Sequence, residues 1–310
     1  VIPDSGARST SDGVMVGQNL YLVYSSSNGG IELGQLQYDN TTQEWNLVGT
    51  RTVTQEPEVT ASNPTLTVDN SNRVWVTFAS LNETTQQTSL NLLYSDDRGM
   101  SWQDPGITLV PPSPSERKSA RLITSSQGVG VIYSHDNTLN WAYRKDSWSP
   151  DTPWEDRIFF QYEEPLPGDA RGSHFSVVVD ELDNIHVVTN DDHQLVYLKF
   201  DQQERRWEDP KILGSAPSAI YMQISITSEG RLLITYDVRD NNETYLNVLE
   251  STDHGETFHL SNTLEYRLGL DTGNPRIETP GVVTNTLPVL QQVSHPSNDI
   301  QGLVYFNVSL

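Results

Sequence analysis

The chain has 310 residues, 35% of them hydrophobic, and its 7 Trp, 13 Tyr and 7 Phe supply a large core instead of a disordered chain. Nineteen basic residues against 41 acidic ones leave a net charge of −22, which repels phosphate backbones and excludes nucleic acid as an expected partner. There is no cysteine, so disulfides and thiolate chemistry are excluded, and no run of 18 apolar residues predicts a membrane span.

Short apolar strands follow one another along the whole chain. Residues 11–17, 19–26, 31–39 and 44–50 form the first group of four. The second runs through 63–69, 73–80, 89–95 and 107–110; Val74, Val76 and Phe78 alternate there with Trp75, Thr77 and Ala79, as in a strand packed on both faces. A third group occupies 120–126, 128–134, 138–146 and 154–160, a fourth 174–180, 184–190, 194–201 and 205–213, and a fifth 221–227, 231–237 and 244–260. The last, 287–294 and 301–310, lacks a fourth strand, which Val1–Pro3 is expected to supply. Trp45, Trp102, Trp154, Trp207 and Phe258 mark successive groups at spacings of 57, 52, 53 and 51 residues. No composition shift marks a linker. The expectation is one all-β domain over residues 1–310, a closed β-propeller of six four-stranded antiparallel blades. Five or seven blades stay open because the last group is atypical.

Two turns stand out. Ser95-Asp96-Asp97-Arg98-Gly99-Met100-Ser101-Trp102 and Ser251-Thr252-Asp253-His254-Gly255-Glu256-Thr257-Phe258 both fit S-x-D-x-G-x-[S/T]-[W/F]. Asp97 and Asp253 suit backbone N–H groups within the turn, Gly99 and Gly255 suit positive φ, and Trp102 and Phe258 suit a slot between sheets. These aspartates are therefore read as structural. The turns resemble the Asp-boxes, or BNR repeats, of the sialidase-like propeller superfamily. That resemblance places them on the outer rim, away from the ligand face, and implies a scaffold shared by exo-sialidases, other glycosidases, polysaccharide lyases, lectins and non-enzymatic sensors.

In such a fold the residues at the start of each blade's first strand reach the ligand face. Those positions hold Arg8 and Asp12, Asn63, Glu116, Arg117, Lys118 and Arg121, Arg171 and His174, Tyr221 and Gln223, and Arg276 and Glu278. The sialidase resemblance implies an arginine trio on a substrate carboxylate, here Arg8, Arg171 and Arg276, with Arg117 a further ligand-binding candidate. It also implies a tyrosine nucleophile, Tyr221 or Tyr266, and an acid/base, Asp12. The Phe-Arg-Ile-Pro signature of sialidases is replaced by Gly6-Ala7-Arg8-Ser9. A propeller lyase would instead need a His or Tyr base beside an Arg, and Arg171-Gly172-Ser173-His174 is the natural place. Asp12, Glu116 and Glu278 are the available carboxylates for paired-carboxylate hydrolysis.

The expected function is recognition of an acidic or polar carbohydrate or glycoconjugate at one central, arginine-containing site. The alternatives are a sialidase-like exo-glycosidase, a uronate-directed lyase, and a non-enzymatic protein-binding scaffold. No cofactor is expected, and the scattered histidines predict no metal site. Polar turns and the N-x-S/T sites at Asn40, Asn82, Asn242 and Asn307 lean towards an extracellular setting.

Overall fold

The computed structural model describes residues 10–114, 118–148, 152–163, 174–216, 221–240, 243–266, 277–294 and 301–310. The chain divides into two compact units, Val1–Ser173 and His174–Leu310. Among the described residues there is no helix, and the strands form six small, mainly antiparallel sheets, the blades of a β-propeller.

The first unit holds three four-stranded meanders. They are β1 (Ser11–Val16), β2 (Asn19–Ser25), β3 (Ile31–Asp39) and β4 (Glu44–Thr54); then β5 (Val59–Val68), β6 (Val74–Asn82), β7 (Gln87–Ser95) and β8 (Val110–Pro114); then β9 (Ala120–Ser125), β10 (Gly128–His135), β11 (Thr138–Lys145) and β12 (Glu155–Gln161).

The second unit starts with β13 (Phe175–Val179), β14 (Ile185–Asp191), β15 (Gln194–Asp201), β16 (Arg206–Trp207) and β17 (Lys211–Ser215); the last two share β15 as partner. Next come β18 (Met222–Thr227), β19 (Leu232–Asp240), β20 (Glu243–Ser251) and β21 (His259–Tyr266). The last sheet is β22 (Ile277–Glu278), β24 (Thr286–Ser294) and β25 (Gln301–Ser309), while β23 (Val282–Val283) pairs in parallel with β18. The strand expected from Val1–Pro3 lies outside the described residues.

Two fourth strands depart from the sequence reading. After Trp102 the chain makes one bridge, Tyr94 with Gln103, and resumes pairing only at Val110. After Trp207 the strand also stops, and it restarts at Lys211. Pro105 and Pro210 sit in these gaps, and a proline has no N–H to continue a ladder.

Successive residues of a middle strand serve opposite neighbours. Val74, Val76 and Phe78 pack with Val23, Ile31 and Leu33 of the first sheet. Trp75, between them, packs with Leu122, Val131 and Tyr133 of the third. Leu232 and Ile234 likewise join Val188 and Leu195, while Leu233 joins Leu287 and Val289. Each such aliphatic side chain contributes about 1.5–3 kcal/mol when buried, so the blades are held mainly by these shared wedges.

The turn between the first and second strands uses one recurring device. Asp69 Oδ1 accepts from Ser71 N and Arg73 N, both at 2.9 Å. Asp180 Oδ1 accepts from Leu182 N at 2.9 Å and Asn184 N at 2.8 Å. Thr227 Oγ1 takes the same place towards Glu229 N and Arg231 N. Each aspartate also grips the side chain six residues on: Asp69 Oδ2 accepts from Trp75 Nε1 at 2.8 Å, and Asp180 Oδ2 meets His186 Nε2 at 3.1 Å. His186 Nδ1 then lies 2.6 Å from Tyr197 Oη. With Asp180 ionised, Nε2 carries the proton and Tyr197 donates to Nδ1. This Asp–His–Tyr line is sealed from solvent, with His186 0% and Tyr197 1% exposed, so it serves the fold.

The two S-x-D-x-G turns match their expected mechanism. Asp97 accepts from Ser101 N at 2.8 Å and Ser101 Oγ at 2.6 Å, and Asp253 accepts from Thr257 N at 2.9 Å and Thr257 Oγ1 at 2.6 Å. Ser95 Oγ and Ser251 Oγ each donate to their aspartate and accept from the glycine N–H. These hydrogen bonds, first those from Ser101, hold the Asp97 carboxyl down to about 2 and, first those from Thr257, lower that of Asp253 too. Gly99 and Gly255 have φ of 86° and 84°. Both turns are clamped by the preceding blade: Arg51 donates to the Arg98 carbonyl, and Lys211 Nζ to the Gly255 carbonyl at 2.9 Å. Trp102 packs into the wedge between the first two sheets, and the Phe258 ring lies 4.8 Å from that of Tyr197.

Two outcomes follow. A Cβ on Gly255 would overlap the Tyr197 hydroxyl, and its φ strains any L side chain. Gly255→Ala is therefore expected to lower the urea unfolding free energy by at least about 1–3 kcal/mol. Gly49→Ala, with open space around the glycine, should stay within about 0.5 kcal/mol of the parent.

Acid should act on the Asp180–His186 pair in two steps. Burial pushes the His186 pKa down despite the pull of Asp180, so below about pH 6.5 the unfolded chain takes up a proton that the folded chain refuses. Burial disfavours the Asp180 charge, but bonds from His186 and Asn184 hold its carboxyl at about 2. Its contribution is complete above about pH 4 and disappears as pH falls further. Urea midpoints should decline between about pH 7 and 5, and His186→Gln, although less stable throughout, should lose that portion of the decline.

Candidate functional site

The polar residues singled out at the starts of the innermost strands are best defined in the second unit. His174 directly precedes β13 and Tyr221 directly precedes β18. Their rings meet edge to face, with centroids 4.9 Å apart and an interplanar angle of 76°. The Thr189 hydroxyl donates to the His174 carbonyl at 3.0 Å, which ties the entry to β13 down to its neighbour β14.

Two residues further along each strand lies a hydrogen-bonded line. Ile224 N donates to Ser176 Oγ at 3.2 Å, and Ser176 Oγ donates to Gln223 Oε1 at 3.1 Å. Gln223 Nε2 donates in turn to the Ile277 carbonyl at 2.9 Å and reaches Glu278 Oε2 at 3.4 Å. This sequence of partners fixes which end of the Gln223 amide is oxygen. The line crosses the heads of β13, β18 and β22 and ends on Glu278, which is exposed. Two of its side chains, Gln223 and Glu278, are marked by strand position in the sequence, as are His174 and Tyr221 beside it. Ser176 is not, because a serine in an apolar strand carries no signal until the neighbouring N–H is seen to need an acceptor.

The first unit uses its equivalent residues differently. Asp12 accepts from Gly13 N at 2.8 Å and from Leu66 N, on the next blade's innermost strand, at 3.1 Å. Asn63, at φ 50°, donates its N–H to Thr10 Oγ1 at 3.0 Å, and its side-chain amide donates to the Lys118 carbonyl at 3.3 Å. Lys118 folds into the interior, 1% exposed, and its ammonium donates to Ser113 Oγ at 2.6 Å. Arg121 Nη1 donates to the Ala120 carbonyl at 3.0 Å.

Of the two candidate tyrosines, Tyr221 stands at the head of an innermost strand, and Tyr266 ends the outermost strand β21. Arg8, Glu116, Arg117, Arg171 and Arg276 lie outside the described residues. Among the described residues no group of three or more His, Asp or Glu side chains is placed to hold a metal, and no helix is long and apolar enough to cross a membrane.

No protein-family model matches the chain, and no curated protein matches it. Solved structures do. An ulvan lyase, described as a new family of polysaccharide lyase, has a TM-score of 0.62 at 9% identity over 96% of this chain and 79% of its own. It is also known bound to -[GlcA(1-4)Rha3S]-. An α-L-arabinofuranosidase from Fusarium graminearum, in complex with an iminosugar inhibitor, has a TM-score of 0.60 at 11% identity over 99% of this chain and 96% of its own. The SapL1 lectin, in complex with alpha methyl fucoside, has a TM-score of 0.52 at 13% identity over 99% of this chain and 98% of its own. At such identities the likeness is one of fold, and the fold it shows is the β-propeller.

Proposed function

We propose that this protein is a glycan-recognising β-propeller that binds an acidic or polar carbohydrate at the heads of its innermost strands. The observation that carries this reading is the set His174, Tyr221, Ser176, Gln223 and Glu278 at three successive strand heads, ordered by its own contacts. Aromatic rings beside oriented amide, hydroxyl and carboxylate groups are what a sugar needs: apolar C–H faces to pack on and fixed donors and acceptors around its hydroxyls. In a chain of net charge −22 an anionic sugar also needs local cations. Arg8, Arg117, Arg171 and Arg276 each lie within four residues before an innermost strand, where guanidinium groups can grip a carboxylate or sulfate bidentately. The saccharides bound by the similarly folded lyase and lectin, and the iminosugar inhibitor of the glycosidase, support the same ligand class here, and the two S-x-D-x-G turns support a place in the sialidase-like superfamily.

The His174–Tyr221 contact favours one catalytic reading, that of a uronate lyase. One of the pair would remove the proton α to the uronate carboxylate, and the other would protonate the departing glycosidic oxygen as its bond to C4 breaks. The product is an unsaturated uronate. An arginine on the carboxylate would stabilise the intermediate charge.

A glycan array carrying uronate, sialylated and sulfated glycans tests the proposal. A specific hit is expected, weakened by at least about tenfold in Arg171→Ala or Arg276→Ala, as loss of a charge-assisted pair requires. Appearance of an absorbing unsaturated product from a uronate polymer, abolished by His174→Ala and Tyr221→Phe, would establish the lyase reading. The absence of both, with a defined protein captured through this face, would establish a scaffold instead.

A further inference from the structure

We propose a second binding site, separate from the strand heads, that takes a neutral saccharide between the first two sheets. A cavity of about 440 Å³ opens there, within the first unit, where the segment joining β4 to β5 meets the hairpin joining β6 to β7. Its size falls in the usual range for small-molecule sites, roughly 300–1,000 Å³.

The inner face of β6 explains why the space exists. Val74, Val76 and Phe78 fill the wedge against the first sheet, but the next residue on that face is Ser80. On β7 the facing positions are Leu93, Asn91 and Ser89, with the same change from apolar to polar. The floor of the cavity is therefore Phe78 and Ala61, and one wall is polar.

That wall has hydrogen-bonding capacity to spare. Ser80 and Ser89 are cross-strand partners with their hydroxyls 2.9 Å apart. The Asn91 amide donates to Ser80 Oγ at 2.7 Å and to Ser89 Oγ at 3.4 Å. Both amide hydrogens are thus used, and the serine–serine bond uses one of two hydroxyl hydrogens. One serine O–H and the Asn91 carbonyl oxygen remain for a ligand, a donor beside an acceptor. A sugar hydroxyl, which both accepts and donates, matches that pair.

Charge selects against the alternatives. Among the described residues Glu56 is the one ionisable group lining the cavity, and its charge adds to the negative field of the chain that an anion would meet. A single carboxylate is also little charge to hold a calcium ion, whose affinity rises with the number of charged ligands. What fits is an uncharged ring with one C–H face and several hydroxyls.

The intact chain can be titrated with the methyl pyranosides of glucose, galactose, mannose and fucose by calorimetry and NMR. At least one is expected to bind saturably, in the millimolar range or tighter. Ser89→Ala and Asn91→Ala should each weaken it by at least about fivefold, as loss of a ligand hydrogen bond requires. Asn91→Asp, which keeps the shape but loses the two donors that orient the serines, should do the same if the alanine variant does not fold. Gln223→Ala, at the strand heads, should leave this binding unchanged, so failure here is distinct from failure of the acidic-glycan reading. The proposal is overturned if the folded parent binds none of the four sugars, if binding survives the wall substitutions, or if Gln223→Ala removes it.

Discussion

Within its own blade an innermost strand is paired on one side only, and its other edge needs partners for N–H and C=O groups that the blade itself cannot supply. Within both units the partners come from the adjoining blade. Asp12 accepts from Leu66 N, and Ser176 accepts from Ile224 N, at matching positions of β1 and β13. Gln223 donates to the Ile277 carbonyl, Ser225 to the Pro280 carbonyl, and β23 adds two residues of parallel ladder to β18. Between the second and third sheets the link is Thr67 to Thr124 at 2.8 Å, with Asn63 reaching the Lys118 carbonyl. A made hydrogen bond of this kind contributes only about 0.5–1.5 kcal/mol, but a buried group left unmade costs about 1–3 kcal/mol. The edge therefore dictates polar side chains at these positions whatever the protein does.

The same requirement recurs at the rim. The S-x-D-x-G turns satisfy their own backbone internally and present one carbonyl to the preceding blade, taken by Arg51 in one case and Lys211 in the other. Around Lys211 the arrangement widens into a four-charge cluster. Glu256 lies 2.8 Å from Lys199 and 3.1 Å from Lys211, and Glu208 reaches Lys199 at 3.3 Å. Apolar wedges supply most of the binding between sheets. The polar joints at centre and rim choose the angle and register at which those wedges meet.

Function has to be built on what this framework leaves over. Asp12 is engaged with two backbone N–H groups, whereas His174 and Tyr221 lie one residue outside their strands and touch each other. Gln223 and Glu278 are intermediate: they belong to a blade joint, yet their line ends at an exposed carboxylate. In the site proposed above, anchoring of this sort would hold Gln223 and Glu278 in place before a ligand arrives, which lowers the ordering cost of binding.

By itself the sequence determined most of the strands, their repeat in mainly four-stranded groups, the both-face burial of β6 and the chemistry of the two S-x-D-x-G turns. Each of these depends on residues close together in the chain, through a period of two, a glycine at positive φ, or an aspartate next to the N–H groups it accepts from. It also pointed to the strand heads as the positions to watch, because a repeat fixes which residue of each unit falls there. Only the tertiary structure decided which of those residues are joints and which are exposed. It showed Ser176 beside Ile224, the buried Asp180–His186–Tyr197 line, and the polar wall of Ser80, Ser89 and Asn91. Those depend on side chains meeting across blades or across paired strands, and no local pattern records whether a polar group finds its partner in the neighbouring element or keeps a hydrogen bond to offer.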